Sequence, residues 1–465
     1  MPATNASTRR LVLQPPRLDG LGRRLPPGPR TFPVVGGGLG LATNFLPTLT
    51  SYRRRYGDVV HVPLALAEVY VYNHPDDIQS ILVGEHSHLM KDELTRVLSR
   101  YVGDGLLTSE GTVWRRQRKI AAPSFQRRHI ESFGEAMVRR SQQRLAGIPP
   151  YSQRDVHVDM MRITLEIVLD TMFGADTVRD IDTVGEIVDD MLIGFRRQYL
   201  TFRRLLPDSL RARALAELDR HVERLDVILY DLIAEGRKAK GDTNLLSRLL
   251  DARDDDDQGM TDQQVRDEVA TVFLAGHETT ALALSYTLHL LAHHPDVARR
   301  VQEEVDRVLG KRPARVDDVP ALVLTDAVLR ESMRLYPPAY TVGRELLADR
   351  EIGGYEVPKG CQVLTPQWVV HRDPRWYTEP DSFRPDRWLE GRSQGLHRFA
   401  YFPFGGGPRI CVGNHFAMLE GVLVLATMIQ QLEVKPMAKA PPLRLSNAVT
   451  LRPAKGVWLE VQRRD

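Results

Sequence analysis

The sequence predicts a mainly α-helical protein with a minor β region, and three observations carry that prediction. Helical periodicity dominates from about residue 76 to 310 and includes one long capped segment, Thr261 to His294. Val- and Tyr-rich stretches bounded by turn residues occur at Val59 to Tyr72 and again beyond residue 340. No Gly/Ser linker and no internal repeat divides the 465 residues, which favours one large domain over several.

Taken in order, residues 1–24 read as a flexible tail and residues 25–465 as the domain. Residues 1–30 hold six Arg against one Asp, and their longest apolar run is Leu11 to Leu13. A signal peptide needs roughly 7–15 apolar residues and a membrane span roughly 20. The chain is therefore expected to be cytoplasmic, with no transmembrane anchor. Leu25-Pro26-Pro27-Gly28-Pro29 is a stiff punctuating segment, and Val59 to Tyr72 reads as a β-hairpin. Breaks near residues 123, 149, 174 and 207 divide the helical stretch. The run Asp254 to Asp257 reads as a solvated loop, since adjacent like charges repel. The small β-containing region is placed at about 57–73 and 340–370.

Composition excludes several classes. Hydrophobic residues make up 42% and charged residues 26%, so disordered and collagen-like chains drop out. Lys and Arg number 63 against 60 Asp and Glu, a net +3 that argues against a nucleic-acid binder. Two cysteines, Cys361 and Cys411, exclude a disulfide scaffold and Cys-rich zinc sites.

The most informative stretch is Phe404-Gly405-Gly406-Gly407-Pro408-Arg409-Ile410-Cys411-Val412-Gly413. Three successive glycines let backbone amides approach whatever Cys411 binds. The apolar run Phe416 to Ile429 places Cys411 just ahead of a helix N-terminus, where the dipole favours a thiolate. A lone thiolate on a rigid loop with Arg409 beside it suits one axial bond to a haem iron, the Arg pairing with a haem carboxylate. Cys361 reads as an ordinary buried thiol.

Phe404, Gly407, Arg409, Cys411 and Gly413 stand at the spacing of the haem-binding signature of the cytochrome P450 family, which the chain resembles over roughly residues 25–460. That resemblance implies a triangular helical prism, with haem b buried between a long distal helix and the cysteine loop. It implies that Cys411 is the iron ligand, that Phe404, Gly405, Gly407 and Gly413 shape its loop, and that Arg409 holds a propionate. Trp114 and Arg118, which share one face of a helix, would hold propionates too, as would Arg344.

Thr261 to Gln264 has the pattern of a capping box. In the middle of the helix that follows, Ala275-Gly276-His277-Glu278-Thr279-Thr280 sets a Gly, an acid and two hydroxyls among apolar neighbours. These residues weaken a helix and are expected to loosen it, giving room for O2 and a route for protons. A zinc-protease reading fails because Ala281 stands where a second His is needed. The patch resembles the oxygen-activation motif of the family, which implies that Ala275 and Gly276 open the groove while Glu278 and Thr279 deliver protons.

Glu331 and Arg334 lie three apart on one helix face and match the E-x-x-R motif of the family, implying a buried network with Arg387. Asp386 and Trp388 stand where Glu and Phe are commoner in that family. The implied activity is insertion of one oxygen atom of O2 into a medium-sized lipophilic substrate. Electrons would come from NAD(P)H through a ferredoxin or flavodoxin and its reductase, docking on Arg115, Arg116 and Lys119. A peroxide-driven peroxygenase and a gas sensor are the alternatives. The pocket is expected to draw on residues 89–106, Leu192 to Tyr199, Ala339, Thr341, Val342 and the turn Ala448 to Thr450 with Val449, in a monomer.

Overall fold

The computed structural model describes residues 17–20, 22–29, 39–64, 67–174, 181–199, 203, 206–238, 244–389, 391 and 393–464. Residues 1–16 of the expected tail and Arg30 lie outside them. Inside the expected tail, Arg17–Leu18 pairs antiparallel with Arg24–Leu25.

Helices form the body. Those that position the site are α1 (Gly111–Ala121), α2 (Val156–Phe173), α3 (Ile181–Tyr199), α4 (Asp262–His293), α5 (Val323–Leu335) and α6 (Asn414–Gln431). In α4, the Thr261 hydroxyl accepts from the Gln264 amide and the Gln264 side chain accepts from the Thr261 amide, closing the expected capping box. The helix has 32 residues, about 48 Å at 1.5 Å per residue. Most of its residues from Val265 to Ala292 are buried, so packing rather than propensity decides its shape.

The expected loosening at 275–280 is absent: α4 runs through as continuous α-helix. The Thr279 hydroxyl donates to Ala275 O at 2.8 Å and the Thr280 hydroxyl to Gly276 O at 3.2 Å, satisfying both hydroxyls along the helix. Gly276 lies where α2 crosses, with space for a Cβ only at 3.4 Å from Val168.

The two expected β segments join in one five-stranded sheet. Its strands are β1 (Val59–Pro63), β2 (Glu68–Tyr72), β3 (Leu89–Lys91), β4 (Val342–Leu346) and β5 (Gln362–Thr365), in spatial order β1-β2-β5-β4-β3. The β2–β5 pair is parallel and the others are antiparallel. Further strands lie outside the expected regions, including Tyr151–Asp155, which pairs with Trp458–Arg463. No helix among the described residues is long and apolar enough to cross a membrane.

Candidate active site

The cysteine loop is held by its own backbone before any ligand arrives. The amide of Cys411 donates to Phe404 O at 3.0 Å, and Ile410 N donates to Gly407 O at 3.1 Å. Gly405 and Gly407 take φ of 72° and 68°, the left-handed region that favours glycine. A Cβ on Gly407 would also collide with the carbonyl of Leu82. Protein encloses Cys411, and the surface that it exposes faces an internal cavity of about 440 Å³.

Burial opposes the thiolate that the helix end favours. Burial pushes the Cys411 thiol up, and the amide of Gly413 and the charge of Arg118 offset this only in part. A helix end three residues away is too weak to ionise a dry sulfur; a metal ion bound to it would do so outright.

The opposite wall of the cavity is the middle of α4, where Ala275, Gly276, Thr279 and Thr280 face it. Glu278 does not line the cavity. Its side chain is 2% exposed and points to the C-terminal segment. There it accepts from the Thr450 hydroxyl at 2.8 Å and pairs with Arg452.

At one edge the cavity gathers cations. Trp114, Arg118, Arg344 and Arg409 line it. Lys91 joins them, although no motif marked it. Strand pairing sets Lys91 directly opposite Arg344, two like charges across a ladder, which is unfavourable without a shared anion. Burial pushes the Lys91 ammonium down to about 7 and the Arg344 guanidinium to about 10. Lys91 leans on carbonyls, its Nζ donating to Leu106 O at 3.0 Å. Arg409 pairs with Glu110 and lies 4.4 Å from the centre of the Trp114 ring, while its buried Nη1 has no hydrogen-bond partner. Buried cations in this number call for a ligand carrying carboxylates.

Beneath the cavity, Glu331 is fully buried and receives donors from every side. Arg334 reaches both of its oxygens at 2.8 Å, and Arg387 Nε, the Arg384 amide and Trp388 Nε1 each reach it at 2.9 Å. Burial raises the carboxyl, and these cations and donors more than reverse that, holding it below its ordinary value. The two departures from the family pattern have places in this packing. Trp388 supplies an indole N–H that a Phe lacks, and Asp386 pairs with Arg300 at 2.6 Å. Arg334 extends the network to the carbonyls of His371, Pro380 and Ser382, so the cluster ties α5 to the chain before the cysteine loop.

The run Asp254 to Asp257 is a loop, as expected, exposed from Asp255 onward, and Asp254 and Asp255 pair with Arg116 and Lys119. Other expectations are corrected. Ala339, Thr341 and Val342 line the cavity, whereas Val449 packs against the helical core instead. No residue of Leu192 to Tyr199 lines it. From residues 89–106, Lys91, Asp92, Thr95 and Leu106 do.

A porphyrin with two carboxylates would meet the sulfur with its metal and the cation cluster with its edge. A group of that kind fits the residues present, and by class the chain is a haem-thiolate protein. The profile of the family described as "Cytochrome P450" matches residues 26–460, and the chain belongs to that family. It is 34% identical to cyclooctatin synthase of Streptomyces melanosporofaciens over 416 residues, covering 88% of this chain and 89% of that one. Identity to pentalenene oxygenase of Streptomyces avermitilis is 32% over 428 residues, covering 90% and 93%. The crystal structure of the cytochrome P450DA heme domain superposes with a TM-score of 0.83 at 25% identity, covering 94% of this chain and 98% of that one. The chain is thus an oxidoreductase of the P450 monooxygenase kind, with a haem held by a cysteine thiolate.

Proposed function

We propose that this monooxygenase hydroxylates or epoxidises a medium-sized, largely hydrocarbon substrate of the cyclic terpenoid type, with Cys411 as the iron ligand. The observation that carries the reading is the sulfur of Cys411 facing a predominantly apolar cavity whose far wall is Ala275, Gly276 and Thr279. The names of the similar oxygenases, acting on pentalenene and on cyclooctat-9-en-7-ol, point to the same substrate class.

Haem, when bound, supplies the activation of O2 and the oxidation of the substrate. This chain supplies the rest. Lys91, Arg118, Arg344 and Arg409 would hold the propionates, with Trp114 stacked under Arg409. Glycine at 276 leaves the distal wall low beside Thr279, where a small oxygen species has room. Thr279 holds a proton at Oγ1, which it donates to Ala275 O. Leu106, Val168 and Met172 keep the site dry and accept an apolar ligand.

Electrons come from NAD(P)H by way of a separate ferredoxin or flavodoxin and its reductase. Arg115 stays exposed on α1 as one contact for an acidic partner. Titrating the ferric holoprotein with cyclic terpene hydrocarbons, fatty acids and aromatic compounds tests the substrate class. The terpenes should shift the Soret band at the lowest concentrations. A response confined to fatty acids or aromatics overturns the assignment.

A further inference from the structure

Residues 103–110 form neither helix nor strand, and Leu106 and Leu107 of this segment line the cavity. Two consecutive carboxylates tie the segment to α4. Asp267 Oδ2 accepts from the Asp104 amide at 2.9 Å, and Glu268 Oε2 accepts from the Leu106 amide at 3.1 Å. A cation holds the same residue from its other side, Lys91 Nζ donating to Leu106 O at 3.0 Å and also to Ser109 O. Gly105 lies so close to α4 that a Cβ there would collide with Asp267 O. Leu106 thus stands in the cavity wall with an acid on its N–H and an ammonium on its C=O.

The two carboxylates differ in what neutralises them. Arg266 Nη1 donates to Asp267 Oδ1 at 3.1 Å. Glu268 is 1% exposed, and among the described residues its Oε2 has the Leu106 amide as donor while its Oε1 has none. A buried carboxylate with so few donors keeps its charge poorly. Burial and the neighbouring Asp267 charge push the Glu268 carboxyl up to about 7, against the pull of the Leu106 amide and of Lys91. Asp267 on the same helix and Lys91 on β3 are the charged groups that face it. Lys91 in turn faces Glu110, Arg409 and Arg344, and haem carboxylates at this edge would keep it charged. Near neutral pH, then, it is Glu268 that changes state at this point of the wall. Its protonation turns a charge-assisted hydrogen bond into an ordinary one.

We infer that Glu268 is a positioning residue for the substrate, which when ionised holds Leu106 in the cavity wall and when protonated lets residues 103–109 loosen and weakens the grip on an apolar ligand. The inference rests on the monooxygenase reading for what fills the cavity. Glu268 acts through Leu106 and does not line the cavity itself. Affinity is full above about 7 and declines as pH falls through that value, because the form that holds the segment is the ionised one.

Two measurements on the haem-loaded protein test this. The first, hydrogen exchange read by mass spectrometry, needs no substrate. After correction for the intrinsic rate at each pH, residues 103–109 should be about fivefold less protected at pH 6 than at pH 8, while α6 stays level. That factor is the difference between a charge-assisted and an ordinary hydrogen bond. Glu268→Gln keeps an acceptor for the Leu106 amide but has no charge to lose, so it should show the lower protection at both values. Glu268→Asp should regain part of the pH dependence. The second is a Soret titration with the sesquiterpene cedrene as probe. Its dissociation constant should rise by a similar factor from pH 8 to pH 6 in wild type and stay level in Glu268→Gln. A merely structural hydrogen bond would move neither readout with pH. Equal protection at the two pH values in wild type overturns the inference whether or not the variants fold. So does a full pH dependence in Glu268→Gln, or loosening with an unchanged cedrene affinity. If cedrene gives no Soret shift at either pH, that counts against the substrate assignment, and the exchange measurement still decides this one.

Discussion

Trp388→Phe isolates one hydrogen bond in the buried cluster beneath the cavity. The indole Nε1 donates to Glu331 Oε2 at 2.9 Å, and Glu331 has no exposed surface. Phe keeps an aromatic ring beside Tyr401, whose centroid lies 4.4 Å from that of Trp388, and removes the N–H. Oε2 would then keep Arg334 Nε, at 2.8 Å, as its donor among the described residues. A hydrogen bond to a charged group contributes about 1.5–3 kcal/mol, so the variant should lose that much stability in urea unfolding followed by circular dichroism. Losing a donor also weakens the grip on the ionised form, so Glu331 should become easier to protonate and the acid unfolding limb should move to higher pH. A loss below about 0.5 kcal/mol with an unmoved acid limb would refute the reasoning. Trp388 would then act through its ring alone.

Three further outcomes follow from the same geometry. Glu331, held below its ordinary value of 4.5, contributes stability that is complete above that value and is lost as pH falls through its lower folded value; unfolding curves from pH 6 downward should show it, and Glu331→Gln should remove that slope. Gly407→Ala combines a left-handed backbone with a collision at Leu82 O, so the unfolding free energy from urea titration should fall by more than about 1 kcal/mol and the holoprotein should lose haem, read from the ratio of Soret to protein absorbance. Lys91→Met should act with opposite signs: the haem-free chain gains up to about 1 kcal/mol from losing a cation opposite Arg344, whereas the holoprotein surrenders haem faster to a haem-scavenging protein.

Much of this was legible along the chain. The cysteine loop was readable because glycines with left-handed φ and a fixed Arg–Cys spacing are local requirements, met within ten residues. The capping box of α4 and the Glu331–Arg334 pair are likewise contacts over three positions. Lys91 escaped because its importance lies in strand pairing with Arg344, about 250 residues away, and a three-residue strand has no periodicity to read. The direction of Glu278 depends on Thr450 and Arg452, and the pairing of Arg116 and Lys119 depends on where the 254–257 loop folds back. The patch at 275–280 looked weak by propensity, but packing against α2 kept it helical.

The most direct measurement is the carbon monoxide difference spectrum of the reduced, haem-loaded protein beside that of Cys411→Ser. Wild type should show the long-wavelength Soret band of a thiolate opposite carbon monoxide, and the variant, with its fold confirmed by circular dichroism, should lose it. The same band in Cys411→Ser, or its absence from well-loaded wild type, would mean that this sulfur does not hold the iron.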